Sequence, residues 1–170
     1  MLKIFNDLGS FFKDNYRRIN VREYARIRGI SPPSASTLLQ KLEKEGLLIR
    51  EDERNYTYYA ANKESGLFID LSRAYWRQIF EKSGLVTYLE KELAKPTIIL
   101  FGSFSKGEVK EGSDIDLAIF TPTHKQLDFQ AFQKKLGRKI QLFTFKAREE
   151  VKSRELLNNI LAGYILSGDW

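Results

Sequence analysis

Apolar and polar residues alternate along the chain in two distinct rhythms, and the change between them divides the sequence. The first half is mostly helical in period. Ile4, Phe5, Leu8, Phe11 and Phe12 recur at helical spacing from Leu2 to about Phe12, and Asp14-Asn15 then breaks the pattern. A short helix is predicted from Val21 to Arg28, closed by Gly29, because a residue without a Cβ suits the left-handed backbone that ends a helix. Ser31 follows as an N-cap, and Pro32 and Pro33 occupy the first turn, where their missing N–H groups cost nothing. The helix they open buries Ala35, Leu38, Leu39 and Leu42 and ends near Gly46. Two β-prone runs, Leu47 to Arg50 and Tyr56 to Ala61, come next, joined by the polar tip Glu51-Asp52-Glu53-Arg54-Asn55.

From Glu64 to Lys82 the helical period returns, with Phe68, Leu71, Tyr75 and Ile79 on one stripe and Leu67, Ala74 and Trp76 widening it. So broad a stripe predicts burial between domains or in a homodimer, with simple core burial as the alternative. Gly84 separates it from a helix running from Leu85 to about Leu93, and Pro96 ends the helical region. Strands are then predicted at Thr97–Phe101, Ile115–Phe120 and Lys139–Phe145, with helices at about Leu127–Leu136 and Ala147–Leu161. This order implies a small sheet covered by helices on one face. The expected organisation is two-domain: residues 1–63, mainly α with a β-hairpin; a connector helix at 64–83; and an α/β (α+β) domain at 84–170.

Composition narrows the chemistry. The 170 residues hold no cysteine, which excludes disulfide scaffolds, thiol nucleophiles and Cys-ligated zinc. A single His124, in a loop of Thr121, Pro122, Thr123 and Lys125, excludes a histidine-rich metal site and reads as a surface residue. With 28 Lys+Arg against 22 Asp+Glu, the net charge of +6 suits a nucleic-acid or nucleotide partner without requiring one. No signal-peptide pattern or long apolar run appears, so the expectation is a cytoplasmic protein with no membrane partner.

One constellation carries chemistry. The apolar run Ile98 to Phe101 leads directly into Gly102-Ser103. Glycine permits close backbone approach to a phosphate, and the serine hydroxyl with nearby N–H groups can donate to phosphate oxygens. Lys106-Gly107 continues the turn with a positive charge, and Gly112-Ser113 leads back into Asp114-Ile115-Asp116. In an extended strand Asp114 and Asp116 point to the same side while Ile115 and Leu117 enter the core. Two neighbouring carboxylates repel each other unless a cation lies between them. Mg²⁺ is the natural one, being held by a few carboxylates with water and substrate phosphate oxygens. Either half of this pattern is common alone; their combination across ten residues, Phe104 to Ser113, between apolar strands points to a metal-assisted displacement at phosphorus.

At Leu100-Phe101-Gly102-Ser103, Lys106-Gly107 and Ser113-Asp114-Ile115-Asp116-Leu117 the chain resembles the minimal nucleotidyltransferases of the DNA polymerase β superfamily, from about Leu85 to the C-terminus. The resemblance implies that Gly102, Ser103 and Lys106 hold a nucleoside triphosphate, foremost ATP, and that Asp114 and Asp116 hold Mg²⁺ as the catalytic carboxylates. It also implies transfer of a nucleoside monophosphate to an acceptor hydroxyl, and some relatives are antitoxins that adenylylate a HEPN-type toxin. The family's third carboxylate, on a later strand, corresponds to Gln141 within Ile140-Gln141-Leu142-Phe143, and no Asp or Glu lies between Leu136 and Ala147. A neutral amide cannot serve as general base. Three outcomes stay open: deprotonation is handled by another group, transfer is slow, or the domain is a nucleotide sensor in a transcriptional regulator.

The first half resembles MarR-like winged helix-turn-helix regulators, especially at Ser31-Pro32-Pro33-Ser34-Ala35-Ser36 and Leu42-Glu43-Lys44-Glu45-Gly46-Leu47-Leu48. That resemblance implies DNA contacts from Ser31, Ser34, Ser36, Thr37, Gln40 and Lys41 on the second helix of the pair, with Arg50 and Arg54 flanking the wing. Glu51-Asp52-Glu53 would repel phosphate there, and a pure protein-contact role is the alternative.

Overall fold

A computed structural model describes residues 2–123 and 125–169; His124 lies outside the described residues. The chain forms two compact units, residues 1–72 with 107–111, and residues 73–106 with 112–170.

The first unit contains α1 (Lys3–Lys13), β1 (Ile19–Asn20), α2 (Val21–Arg28), α3 (Pro32–Lys44), β2 (Leu48–Glu53) and β3 (Tyr56–Ala61). Its helix boundaries follow local chemistry. Asn20 caps α2 by accepting from the Glu23 N–H, and Gly29 closes it at φ +63°. Ser31 Oγ accepts from the Ser34 N–H at 3.3 Å, with the two prolines in the first turn of α3. Inside the unit Phe11 meets Tyr24 at 6.2 Å and Phe12 meets Phe68 at 5.2 Å between ring centroids. Arg28 pairs with the buried Asp7 at 2.8 Å, and the Tyr24 hydroxyl donates to the Asp7 carbonyl. Burial, and then the Asp7 charge, push the Tyr24 hydroxyl up to about 12.

Three expectations for this unit are corrected. Leu38 is only half-buried, whereas Ala35, Leu39 and Leu42 enter the core. The polar tip is shorter, because Glu51, Asp52 and Glu53 belong to β2 and pair with Tyr58, Thr57 and Tyr56. Only Arg54 and Asn55 turn the hairpin, Arg54 at φ +52°. A third strand, β1, pairs antiparallel with β3 to complete a sheet of order β1-β3-β2; two residues are too few to leave a periodic signal.

The helix α4 (Gly66–Ser83) corresponds to the expected connector, and its first turns belong to the first unit while residues 73–83 belong to the second. Its buried stripe is Phe68, Ser72, Tyr75, Trp76 and Phe80, not Phe68, Leu71, Tyr75 and Ile79, and Leu67 is 57% exposed. The stripe thus runs at i, i+4 steps and tolerates a serine that the hydrophobic pattern passed over.

The second unit continues with α5 (Leu85–Glu92), β4 (Thr97–Phe101), α6 (Ser103–Lys106), β5 (Ile115–Phe120), α7 (Gln130–Leu136), β6 (Ile140–Phe145), a 3-10 turn (Arg148–Glu150), α8 (Arg154–Leu161) and β7 (Tyr164–Ser167). The sheet order is β6-β5-β4-β7, with β5 and β6 parallel and the other pairs antiparallel. Both faces of its central strands are buried. Ile98, Leu100, Ile115, Leu117 and Ile119 line one face; Ile99, Phe101, Ala118 and Phe120 pack with Val151 and Ile160 on the other. The one-faced sheet expected from element order is therefore corrected; near-continuous apolar runs in β4 and β5 are the mark of strands covered on both sides.

The C-terminal part also departs from expectation. The single helix from Ala147 breaks at Val151, whose extended backbone sends its side chain into the core, and restarts after Ser153, which caps α8. Helix α7 begins at Gln130 rather than Leu127. The strand β7 is absent from the sequence reading. Its approach to β4 requires Gly163, where a Cβ would lie 2.7 Å from both Ile99 Cγ2 and the Leu100 carbonyl.

Phe104, fully buried, meets Trp76 edge-on at 4.7 Å and Phe80 at 6.3 Å. Phe104→Ala is expected to destabilise by about 3–5 kcal/mol through the cavity it leaves, read as a lower urea midpoint; an unchanged midpoint would show that this ring does not fill the core.

Candidate nucleotide and metal site

The β4–β5 pairing builds the site. Phe101, the last residue of β4, is the register partner of Asp116, so the chain leaves β4 directly beside that carboxylate. Gly102 makes the exit at φ +67°, and a Cβ there would stand 2.3 Å from Asp116 Oδ2. Glycine suits this backbone conformation, and a side chain there would displace the Asp116 carboxylate. Ser103 opens the four-residue α6. Phe104 anchors this turn in the core described above, while the buried Ser105 Oγ donates to the Gly102 carbonyl at 3.0 Å. Arg73 Nε donates to the Ser105 carbonyl at 2.7 Å. The exposed Lys106 reaches α8, donating to Asn159 Oδ1 at 3.0 Å.

Asp114, immediately before β5, and Asp116, within it, lie on alternate positions, half-buried, while Ile115 and Leu117 are fully buried. Burial, and then the Asp114 charge, raise the Asp116 carboxyl above the ordinary aspartate range. Gln141 is the register partner of Asp116 on β6, and its Nε2 donates to Asp114 Oδ2 at 2.6 Å. The amide thus stands at the position beside the aspartates where a third acid was expected. Among the described residues no group of three or more His, Cys, Asp or Glu is arranged to hold a metal ion. A cation here would rest on two carboxylates, and Asp116, whose ionised form burial and Asp114 both disfavour, is a group that such a cation would relieve.

Residues outside the motif hold it in place, and the sequence reading named none of them in this role. Arg138 donates to the Ser113 carbonyl at 3.1 Å and lies over the Trp76 and Phe104 rings, so it fixes the chain just before Asp114. Arg73 and Asn159 act likewise on Ser105 and Lys106. Each is a single polar residue in a helix or turn, and only packing reveals its partner. Two grooves of this unit, about 490 Å³ beside Arg77 and Glu90 and about 380 Å³ beside Leu93 and Leu127, include none of the signature residues. The site's character comes from the turn and the carboxylates rather than from those grooves.

In the first unit, Ser31, Ser34, Thr37, Gln40 and Lys41 are exposed on one side of α3, and Ser36 is half-buried. Their hydrogen bonds are local: Thr37 donates to the Pro33 carbonyl and Gln40 to Ser36 Oγ. The acidic wing is internally neutralised. Arg18 pairs with Glu51 and Glu53, and Asp52 accepts from Arg50 and Thr57, which lowers its pKa. The expected repulsion of phosphate by these acids is thereby reduced, although such exposed pairs are weak. Arg54, at the tip, is exposed and makes no ion pair among the described residues.

The raised Asp116 pKa has a defined sign. A carboxyl whose folded pKa exceeds its unfolded one stabilises the fold fully below the unfolded value and loses that contribution as pH rises through the folded value. At pH 7 the ionised pair is therefore an unfavourable element. MgCl₂ is expected to raise the melting temperature by a few degrees at pH 7, with the increment shrinking toward pH 4. Asp116→Asn is expected to melt higher than wild type without cation and to lose the increment. An increment unaltered in the variant would remove Asp116 from the cation site.

No curated protein matches this chain. Residues 82–162, which contain Gly102, Ser103, Lys106, Asp114, Asp116, Gln141 and Asn159, match the model of the nucleotidyltransferase domain family, and nucleotide transfer is the activity class this half of the chain resembles.

Proposed function

We propose that the second unit binds a nucleoside triphosphate, with ATP foremost, and transfers its nucleoside monophosphate to an acceptor hydroxyl. The observation that carries this reading is the closeness of Gly102 to Asp116 within a span that matches the nucleotidyltransferase domain. Ser103 and the turn N–H groups would donate to phosphate oxygens, and Lys106 would add a positive charge once released from Asn159. Asp114 and Asp116 would hold Mg²⁺, which supplies charge neutralisation for the phosphates when bound. The acceptor oxygen forms a bond to the α-phosphorus as the bond to the bridging oxygen breaks and pyrophosphate leaves, the hydroxyl proton passing to solvent. A HEPN-type toxin is a candidate acceptor, as in some relatives of the family.

Gln141 favours a second reading. Its amide cannot take the hydroxyl proton, and its hydrogen bond to Asp114 occupies one of the two carboxylates. In this reading the unit binds nucleotide without turning it over and acts as the sensor of a transcriptional regulator.

The order α1-β1-α2-α3-β2-β3 in the first unit supports reading it as a winged helix-turn-helix. The exposed polar side of α3, free of acids before Glu43, and Arg54 at the wing tip support DNA contact. Two-fold DNA sites would call for a homodimer. A cytoplasmic setting accords with the absence, among the described residues, of any helix long and apolar enough to cross a membrane.

Incubation with α-labelled ATP, Mg²⁺ and candidate acceptors is expected to label an acceptor and release pyrophosphate, with Asp114→Ala and Asp116→Ala reduced about a hundredfold or more. Calorimetric binding of ATP without pyrophosphate release would select the sensor, and no binding would sink both readings. For the first unit, a mobility shift of operator-like DNA from neighbouring promoter sequence is expected at low salt, weakening as salt rises and lost in Ser36→Glu. Absence of any shift at low salt would leave the unit a protein-contact module.

A further inference from the structure

Helix α2 uses its two sides differently. Tyr24 and Arg28 turn inward, to Phe11 and the buried Asp7, whereas Arg22, Ala25, Arg26 and Gly29 fall together on the other side at steps of three and four residues. The chain does not continue along that side. Gly29 turns it at φ +63°, and the Ile30 N–H donates to the Ala25 carbonyl at 3.1 Å, which folds the turn back against the helix before Pro32 opens α3. The result is a groove of about 530 Å³ lined by Arg22, Ala25, Arg26, Gly29, Ile30 and Pro32, all within the first unit.

The floor of this groove is apolar and its rim is cationic. Ala25 and the half-buried Ile30 lie beneath it, and a Cβ on Gly29 would meet nothing within 4 Å, so the floor is open. Arg22 and Arg26 are exposed one helical turn apart, and no acid lines the groove. Other arginines of the unit are tied to carboxylates: Arg17 to Glu23, Arg18 to Glu51 and Glu53, Arg28 to Asp7 and Arg50 to Asp52. Glu23, next to Arg22 in sequence, is thus already held by Arg17. Among the described residues Arg22 and Arg26 have no ion-pair partner, and both belong to the one groove.

We propose that this groove docks an acidic peptide segment of a partner protein, which seats an apolar side chain on Ala25, Ile30 and Pro32 while carboxylates to either side of it pair with Arg22 and Arg26. A guanidinium takes a carboxylate through two parallel hydrogen bonds, so two arginines one turn apart select a segment with acids flanking its anchor. The apolar floor favours a peptide over a DNA backbone. Phosphates would meet both guanidiniums but bring nothing to cover Ala25 and Ile30. Exposed ion pairs contribute little by themselves, so the anchor supplies most of the affinity and the arginines supply the selection. The proposal requires neither the nucleotide site nor DNA contact by α3.

The test uses the full chain and a short fluorescein-labelled peptide with glutamates on both sides of a central leucine, read by fluorescence anisotropy. A Kd on the order of 10 µM is expected. Replacing the peptide's leucine by serine is expected to weaken binding about tenfold, through loss of the buried apolar group. Arg22→Glu and Arg26→Glu are each expected to weaken it by about tenfold or more while leaving the circular dichroism spectrum unchanged. Should either reversal fail to fold, the paired Arg22→Gln and Arg26→Gln variant carries the charge arm. Amide resonances of Ala25, Gly29 and Ile30 should shift on addition of the leucine peptide. Equal affinity for the leucine and serine peptides would make the groove a general polyanion site, as for a DNA backbone, and overturn the peptide reading. No binding of the leucine peptide, or binding that survives both charge changes, would overturn docking at this groove.

Discussion

The approach of the Gly102 backbone to the Asp116 carboxylate governs the geometry of the second unit. Phe101 and Asp116 are register partners, so the end of β4 and the beginning of β5 are brought together by the same ladder that buries both strands. At that junction a side chain on residue 102 would displace the Asp116 carboxylate. The sheet's register, the positive φ of the turn and the seating of Phe104 under Trp76 are thus one constraint seen from three sides. The placement of this turn against a carboxylate follows from the pairing rather than from any property of the loop by itself.

The electrostatics of the pair give the site its character. Asp114 and Asp116 share one side of β5, and burial, together with the neighbouring charge, disfavours ionisation of Asp116. Gln141 answers part of this by donating to Asp114, which an acid at that position could do only when protonated. The site therefore has the charge of two carboxylates at most, with an amide where a third was expected. This suits cation binding better than proton abstraction, and it is the feature on which the two proposed readings, transfer and sensing, divide.

Isolation of the two units is incomplete along the chain. The segment 107–111 interrupts the nucleotide signature and belongs to the first unit, and α4 contributes residues to both. The acidic wing shows a dependence on distant residues within one unit: Glu51 and Glu53 are answered by Arg18, near β1, so the local charge of the hairpin misstates the field it presents.

By itself the sequence determined those features that a few adjacent residues encode. Ser31-Pro32-Pro33 opened α3, Gly29 closed α2, and the apolar runs at Thr97–Phe101 and Ile115–Phe120 were legible as strands, as was the shared side of Asp114 and Asp116. Caps, periods of 3.6 and alternation are local, so they survive without a fold around them. The two-residue β1, the edge strand β7, the break at Val151 and the buried Ser72 were not legible, since their signals are short or contrary to hydrophobicity. Nor could the sequence assign Asn159 to Lys106, Arg138 to Ser113 or Asn15 to Val109. Such partners are chosen by sheet register and packing between residues far apart in the chain, and a lone polar residue carries no local mark of the carbonyl or amide it will meet.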